Sequence, residues 1–319
     1  MMNSESSPCA VCGNPGCVDT GMRPTSPYKQ GYKFALFQCV SCQSMNTQPS
    51  PSDADLSKYY DSGEYYSTKE ATQGGVRKLG WLDRLRRYAR RCCVKYYWGT
   101  QPQTMSTLDH AIATFGKNRF GWPPDSLTGS RMLDVGCGDG TFIQEANEVG
   151  WDAIGLETSS VAVANAKKLG IQVVQGELTD DCFESQSFDV IRIWSVLEHV
   201  RDPIATLNKA HNLLRPGGWL VVQVPNAKST IAKLLGERWS GWDVPVHLTH
   251  FNKKSLELAA TSTGFDMATV HNASTGTLSS SIAYGGSSAG RIIVVFVDKL
   301  IDAMGQGDCI VLFARRPLQ

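Results

Sequence analysis

From Gly129 onward the chain alternates short apolar runs with amphipathic stretches. The runs fall near 132–135, 153–156, 171–175, 189–193 and 219–224, with helical periodicity between them. This alternation predicts buried parallel strands joined by helices, a doubly wound α/β sheet that takes its ligands at the carboxyl ends of the strands. Thr141 to Val149 reads as the helix after the first strand, and Phe265–His271 and Cys309–Arg315 read as later strands. Between them, the stretch from Ser279 to Asp308 is rich in Ser and Gly, then apolar and helical, and predicts an insertion on the substrate side. Upstream, Leu79–Trp98 spaces Trp81, Leu82, Leu85, Tyr88, Ala89, Cys92 and Tyr96 by three and four, with Arg84, Arg86, Arg87, Arg90, Arg91 and Lys95 between them. That pattern predicts an amphipathic basic helix, a lid whose arginine face is solvated or meets phosphate, RNA or an anionic membrane surface. Before it, Tyr59-Tyr60 and Tyr65-Tyr66 mark a connector whose aromatic anchors pack or cover a ligand.

The first strand ends in the most informative segment, Leu133-Asp-Val-Gly-Cys-Gly-Asp-Gly-Thr-Phe142. Gly136, Gly138 and Gly140 allow a sharp turn and a close backbone approach to a ligand. Further on, Ala153–Leu156 ends in Glu157, whose carboxylate suits the two hydroxyls of a ribose. A phosphate-binding turn aims helix amides at an anion, whereas Asp134 and Asp139 put carboxylates beside this one. A ligand carrying positive charge fits better, and S-adenosylmethionine has both a sulfonium and an ammonium group.

At this point the chain resembles the class I S-adenosylmethionine-dependent methyltransferases. The resemblance runs in order through Leu133–Phe142, Gly155-Leu156-Glu157, Gln175-Gly176-Glu177-Leu178, Phe188-Asp189-Val190-Ile191, Val196-Leu197-Glu198-His199-Val200 and Leu214-Arg215-Pro216-Gly217-Gly218-Trp219. It implies a Rossmann-like seven-stranded sheet with an antiparallel C-terminal hairpin built from Phe265–His271 and Cys309–Arg315. It also implies that Asp134, Gly136, Cys137 and Gly138 border the methionine end of the cofactor, that Glu157 and Thr158 hold the ribose, that Glu177 with Leu178 flanks the adenine, and that Trp194 also borders the cofactor. Asp189 and Pro216-Gly217-Gly218 are expected to be structural, the latter an ordinary turn before a strand.

The chain has 319 residues and a formal net charge of +1, so nothing in its balance demands a nucleic-acid partner. No apolar run reaches the length of a membrane span and no signal peptide is evident, which sets the expectation of a cytoplasmic protein with at most peripheral membrane contact. In a reducing compartment, paired cysteines favour metal over disulfides. Cys9-Ala-Val-Cys12 and Cys39-Val-Ser-Cys42 form two knuckles separated by 26 residues, with Tyr32–Phe37 as a returning strand. Four thiolates in this pattern close a tetrahedral structural Zn²⁺ site, with Cys17 as a spare thiol. The expected organisation is a zinc-ribbon module at 1–55, a connector and basic helical lid at 56–128, and the catalytic domain at 129–319. A zinc ribbon ahead of a class I domain resembles bacterial methyltransferases of sugars or other small metabolites.

Methyl transfer needs an aligned acceptor and a base for its proton. His199, beside Glu198, follows the fourth strand, and His247 lies with His250 in Asp243-Val-Pro-Val-His-Leu-Thr-His-Phe251, after the fifth. Glu198, His199 and His247 are therefore the catalytic candidates. Some ubiquinone-type and small-RNA methyltransferases carry Glu-x-x-Glu-His and a distant His around a divalent ion; here Ser195 replaces the first Glu, which argues against a tight catalytic metal. The expected function is methylation, most plausibly at oxygen, of a small metabolite or a glycan or nucleotide-sugar acceptor. The alternative is an RNA methyltransferase that grips the backbone with the ribbon and the arginine helix.

Overall fold

The computed structural model describes residues 8–24, 34–56, 85, 88, 89, 91–93, 96, 105–115, 130–273, 281, 297, 301 and 304–318. The tyrosine connector, most of the basic helix and most of 279–308 lie outside these residues; the described positions of the basic stretch, 85, 88, 89, 91–93 and 96, are helical. In chain order the elements are β1 (Cys17–Asp19), β2 (Ala35–Cys39), β3 (Met45–Gln48), α1 (Thr107–Phe115), β4 (Arg131–Val135), α2 (Thr141–Glu148), β5 (Asp152–Glu157), α3 (Ser160–Lys168) and β6 (Val173–Gln175). They continue with β7 (Phe188–Trp194), α4 (Pro203–Leu213), β8 (Leu214–Pro225), α5 (Thr230–Leu235), β9 (Thr249–His250), α6 (Lys253–Ser262), β10 (Asp266–Ala273) and β11 (Cys309–Arg315). Among the described residues no helix is long and apolar enough to cross a membrane.

Seven strands form one sheet in the order β10-β11-β8-β7-β4-β5-β6. The pairs β4–β5, β4–β7 and β5–β6 are parallel. This is the doubly wound α/β architecture that the apolar runs predict. The chain packs as two compact units.

Unit 2 contains residues 60–194, 209–221 and 313–319. Met132, Leu133, Ile191 and Ile193 are completely buried at its centre. Asp189, at the start of β7, accepts hydrogen bonds from the Arg131 amide at 2.8 Å and from Arg215 Nη1 at 2.8 Å. It registers β4 against β7, which is the structural role expected of it. Pro216-Gly217-Gly218 departs from expectation. The strand begins at Leu214 and includes these residues, because Gly217 takes a left-handed φ of 77° that lets the backbone jog without leaving the ladder.

Unit 1 is assembled from residues 1–59, 195–208 and 222–312. The short strands β1, β2 and β3 form an antiparallel meander, and β9 adds to β3 to give the order β1-β2-β3-β9. Phe34, Leu36 and Met45 share a core with Ile231, Ala232, Trp239, Trp242 and Val244. A cysteine-bearing segment this short has too little apolar area for a core of its own; here it borrows one from the segment that leads into the histidine loop.

Gly155 has no room for a side chain, since a Cβ there would lie 2.4 Å from Cys137 Sγ and 2.6 Å from Ile143 Cδ1. Gly155→Ala is expected to lower stability by about 1–3 kcal/mol through overpacking, read as a lower denaturant midpoint with an unchanged slope.

Candidate functional site

The glycine turn closes on itself. Glu157 Oε2 accepts from the Gly138 amide at 2.9 Å, and its Oε1 accepts from the Ser159 amide at 2.9 Å. Asp139 Oδ1 accepts from the Thr141 amide at 3.0 Å, so the first turn of α2 is met by the chain's own carboxylate. The amides that would cradle a pyrophosphate in a dinucleotide fold are thus committed to carboxylates. A carboxylate offers about four acceptor positions, and those that Glu157 keeps suit hydroxyl donors.

Asp134 is 1% exposed and pairs with Arg192 Nη1 at 2.6 Å, so its charge is met within the protein. The Arg192 guanidinium also lies 3.9 Å from the Phe142 ring centroid and 4.5 Å from that of Trp194. Arg192 was legible as an anomaly, a cation inside the run Val190-Ile191-Arg192-Ile193, where burial demands a partner. At the ends of β5 and β6, Thr158, Gln175, Gly176, Glu177 and Asp180 line an open cleft. The Glu177 amide donates to Asp180 Oδ2 at 2.8 Å, while Leu178 is buried beneath. Cys137, with a thiol raised by burial, packs under the turn.

Unit 1 brings Glu198, His199 and His247 together, with ligand atoms all within 4.8 Å of one another. Glu198 is 2% exposed, and among the described residues neither carboxylate oxygen has a hydrogen-bond partner. Burial, with the Asp243 charge adding to it, pushes Glu198 up to about 8. His199 Nδ1 lies 3.0 Å from the Val246 carbonyl and His247 Nδ1 lies 3.0 Å from the Gly241 carbonyl. A carbonyl only accepts, so both rings carry the proton on Nδ1 and present an unprotonated Nε2. The two rings meet edge to face at 4.6 Å. Burial holds His247 down to about 4, and burial together with His247 holds His199 well below the usual imidazole range. Asp243 Oδ2 stands 3.9 Å from His247 Nε2. Pro225, Ala227, Trp239, Gly241, Thr249 and His250 complete a narrow crevice around Glu198 and His247.

The Ser195 hydroxyl donates to Gln223 Oε1 at 2.6 Å. The three remaining groups, one carboxylate and two neutral imidazoles, are a donor set suited to a first-row divalent ion, and the orphaned Glu198 oxygens fit such an ion.

The sulfurs of Cys9, Cys12, Cys39 and Cys42 also converge within 4.8 Å. Cys9 Sγ lies 3.5 Å from that of Cys42, and Cys12 Sγ lies 3.5 Å from that of Cys39. A tetrahedron with Zn–S near 2.3 Å puts sulfurs about 3.8 Å apart, so the spacing fits that ion. Cys17, on β1 opposite Cys39, is not one of the four.

Residues 104–270 match the methyltransferase domain family, which is more than half of the chain. The chain belongs to that family. The chain is 32% identical over 124 residues to a ubiquinone biosynthesis O-methyltransferase of Cereibacter sphaeroides, covering 36% of this chain and 50% of that protein. It is 32% identical over 122 residues to the protein of the same name from Paraburkholderia phymatum, covering 35% and 53%. The chain therefore spans about half the length of these curated relatives. A solved S-adenosylmethionine-dependent methyltransferase from Mesorhizobium loti is 20% identical with a TM-score of 0.46, covering 60% of this chain and 94% of that one.

Two measurements check this geometry. Glu157→Ala is expected to weaken binding of S-adenosylmethionine at least tenfold by calorimetry, with the protein still folded. His250, held down to about 3 by burial and by His247, stays neutral in the fold while the unfolded chain takes up a proton below about 6.5. Stability is therefore full above pH 6.5 and is lost as pH falls toward 3, by a few kcal/mol in the limit. His250→Gln is expected to flatten that slope in a denaturation series.

Proposed function

We propose that this methyltransferase moves the methyl group of S-adenosylmethionine to an oxygen of a small-molecule acceptor, most plausibly a sugar of a glycan or nucleotide sugar. The observation that carries the reading is Glu157, whose carboxylate occupies the amides of Gly138 and Ser159. With the Gly138 amide taken by Glu157 and the Thr141 amide by Asp139, the turn suits a ribose and a cationic sulfonium better than a pyrophosphate. Gly136, Cys137 and Gly138 then border the methionine portion, Thr158 and Glu177 the adenosine portion, and Trp194 the rim.

Displacement at a sulfonium creates no oxyanion for the protein to stabilise, so the chemical demand is alignment and removal of the acceptor proton. His199 and His247, neutral at physiological pH with Nε2 unprotonated, are the bases this reading assigns, with Glu198 beside them. The two cysteine knuckles hold a structural Zn²⁺, which is expected at about one equivalent per chain and lost in Cys39→Ser.

A second reading rests on the unpartnered oxygens of Glu198. In it, Glu198, His199 and His247 hold a divalent ion, and the ion would lower the pKa of an acceptor hydroxyl. The two readings separate by metal dependence, since activity that survives chelation with the cysteine-bound zinc still in place supports the histidine base.

The test is incubation with methyl-labelled S-adenosylmethionine and fractionated extract. Label in sugar or small-metabolite fractions is expected, and label confined to RNA would replace this acceptor class. His199→Ala or His247→Ala is expected to lower turnover by about 10²–10⁴-fold while cofactor affinity stays within twofold.

A further inference from the structure

We propose that Thr47 is a positioning residue through which the cysteine ribbon sets the histidine loop. The proposal rests on the reading above that His247 takes part in methyl transfer. Thr47 is 3% exposed and lies on β3, five residues after the last knuckle cysteine, Cys42. Three of its interactions land on the loop. Its amide donates to the Leu248 carbonyl at 3.0 Å, its hydroxyl donates to the His247 carbonyl at 2.7 Å, and the same oxygen stands 2.9 Å from His250 Nε2.

The hydroxyl has one proton, and a carbonyl can only accept it. The proton therefore goes to His247, and the Thr47 oxygen accepts from an Nε2–H on His250. One side chain thus fixes the backbone at His247 and the tautomer of His250. The next two amides, those of Leu248 and Thr249, donate to the Glu198 carbonyl at 2.8 and 3.2 Å, so the same ladder also locates Glu198.

The knuckle grips the far end of the loop as well. Asn252 Nδ2 donates to the Gln43 carbonyl at 2.7 Å, and Lys254 Nζ donates to the Ser41 carbonyl at 3.0 Å. Asn252 is at the same time the N-cap of α6, in a reciprocal capping box with Ser255. Residues 247–252 are thereby held at one end by β3 and at the other by the second knuckle. Asn46 pairs with Thr249 across the same ladder, and its buried Oδ1 has no hydrogen-bond partner among the described residues.

The experiment compares Thr47→Val, which keeps the shape and loses the hydroxyl, with Thr47→Ser, which keeps the hydroxyl. Both are assayed with His247→Ala in parallel, and bound zinc and the exchange of the Leu248 and Thr249 amides are measured alongside turnover. For Thr47→Val the expected result is a kcat at least tenfold lower, a KM for S-adenosylmethionine within twofold, unchanged zinc, and amide exchange at least tenfold faster. Thr47→Ser is expected to restore most of the kcat and the slow exchange. The proposal is overturned if Thr47→Val leaves exchange unchanged, if exchange rises without a fall in kcat, or if Thr47→Ser is as defective as Thr47→Val. Wild-type turnover in His247→Ala would show instead that the reading of His247 had failed; slow exchange in Thr47→Val would be a failure of the positioning claim alone.

Discussion

The pairing of β3 with β9 sets Met45 against His250 and Asn46 against Thr249, and the rest of unit 1 depends on that ladder. It joins segments some two hundred residues apart, as the hydrogen bond from Thr47 to His247 shows. Closing so long a loop has an entropic cost that local contacts do not repay. The shared core of Leu36, Met45, Trp239, Trp242 and Val244 supplies the compensating burial. The two tryptophans meet edge to face at 4.9 Å, an arrangement that adds to the area they bury. Ribbon, tryptophan pair and histidine loop therefore share one ladder and one core.

Electrostatic self-sufficiency marks both chemical regions. In the glycine turn, Glu157 and Asp139 satisfy backbone amides and Arg192 balances Asp134. In the histidine cluster, each Nδ1 is committed to a carbonyl. The exception is Glu198, buried with both oxygens unpartnered among the described residues. A buried carboxylate without donors costs several kcal/mol in its charged form, and raising its pKa toward 8 is how the protein avoids that charge. A buried carboxylate left without donors calls for an explanation, and ligand chemistry is one.

Much of this was legible in the chain. The apolar runs placed β4, β5, β7 and β11 within a residue or so of their observed bounds, because strands buried on both faces leave an uninterrupted apolar signature. The knuckle cysteines were legible because two Cys-x-x-Cys pairs stand out in the chain, and the structure brings their four sulfurs together. β9 was not, since a strand of two residues carries no periodicity and forms only because β3 is there to receive it. Pro216-Gly217-Gly218 reads as a turn from local propensity, and the neighbouring strands overrule it. Arg192 and Thr47 were visible as residues, but their partners, Asp134 and the loop at 247–250, are set by tertiary packing that no local pattern records.

The central claim is that two neutral imidazoles present unprotonated Nε2 atoms beside a buried Glu198, and nitrogen NMR of histidine-labelled protein tests it most directly. At neutral pH the account predicts that His199 and His247 show a protonated Nδ1 and an unprotonated Nε2, with no titration until well below pH 6. Imidazolium signals at pH 7, or protons on Nε2 in either ring, would contradict it.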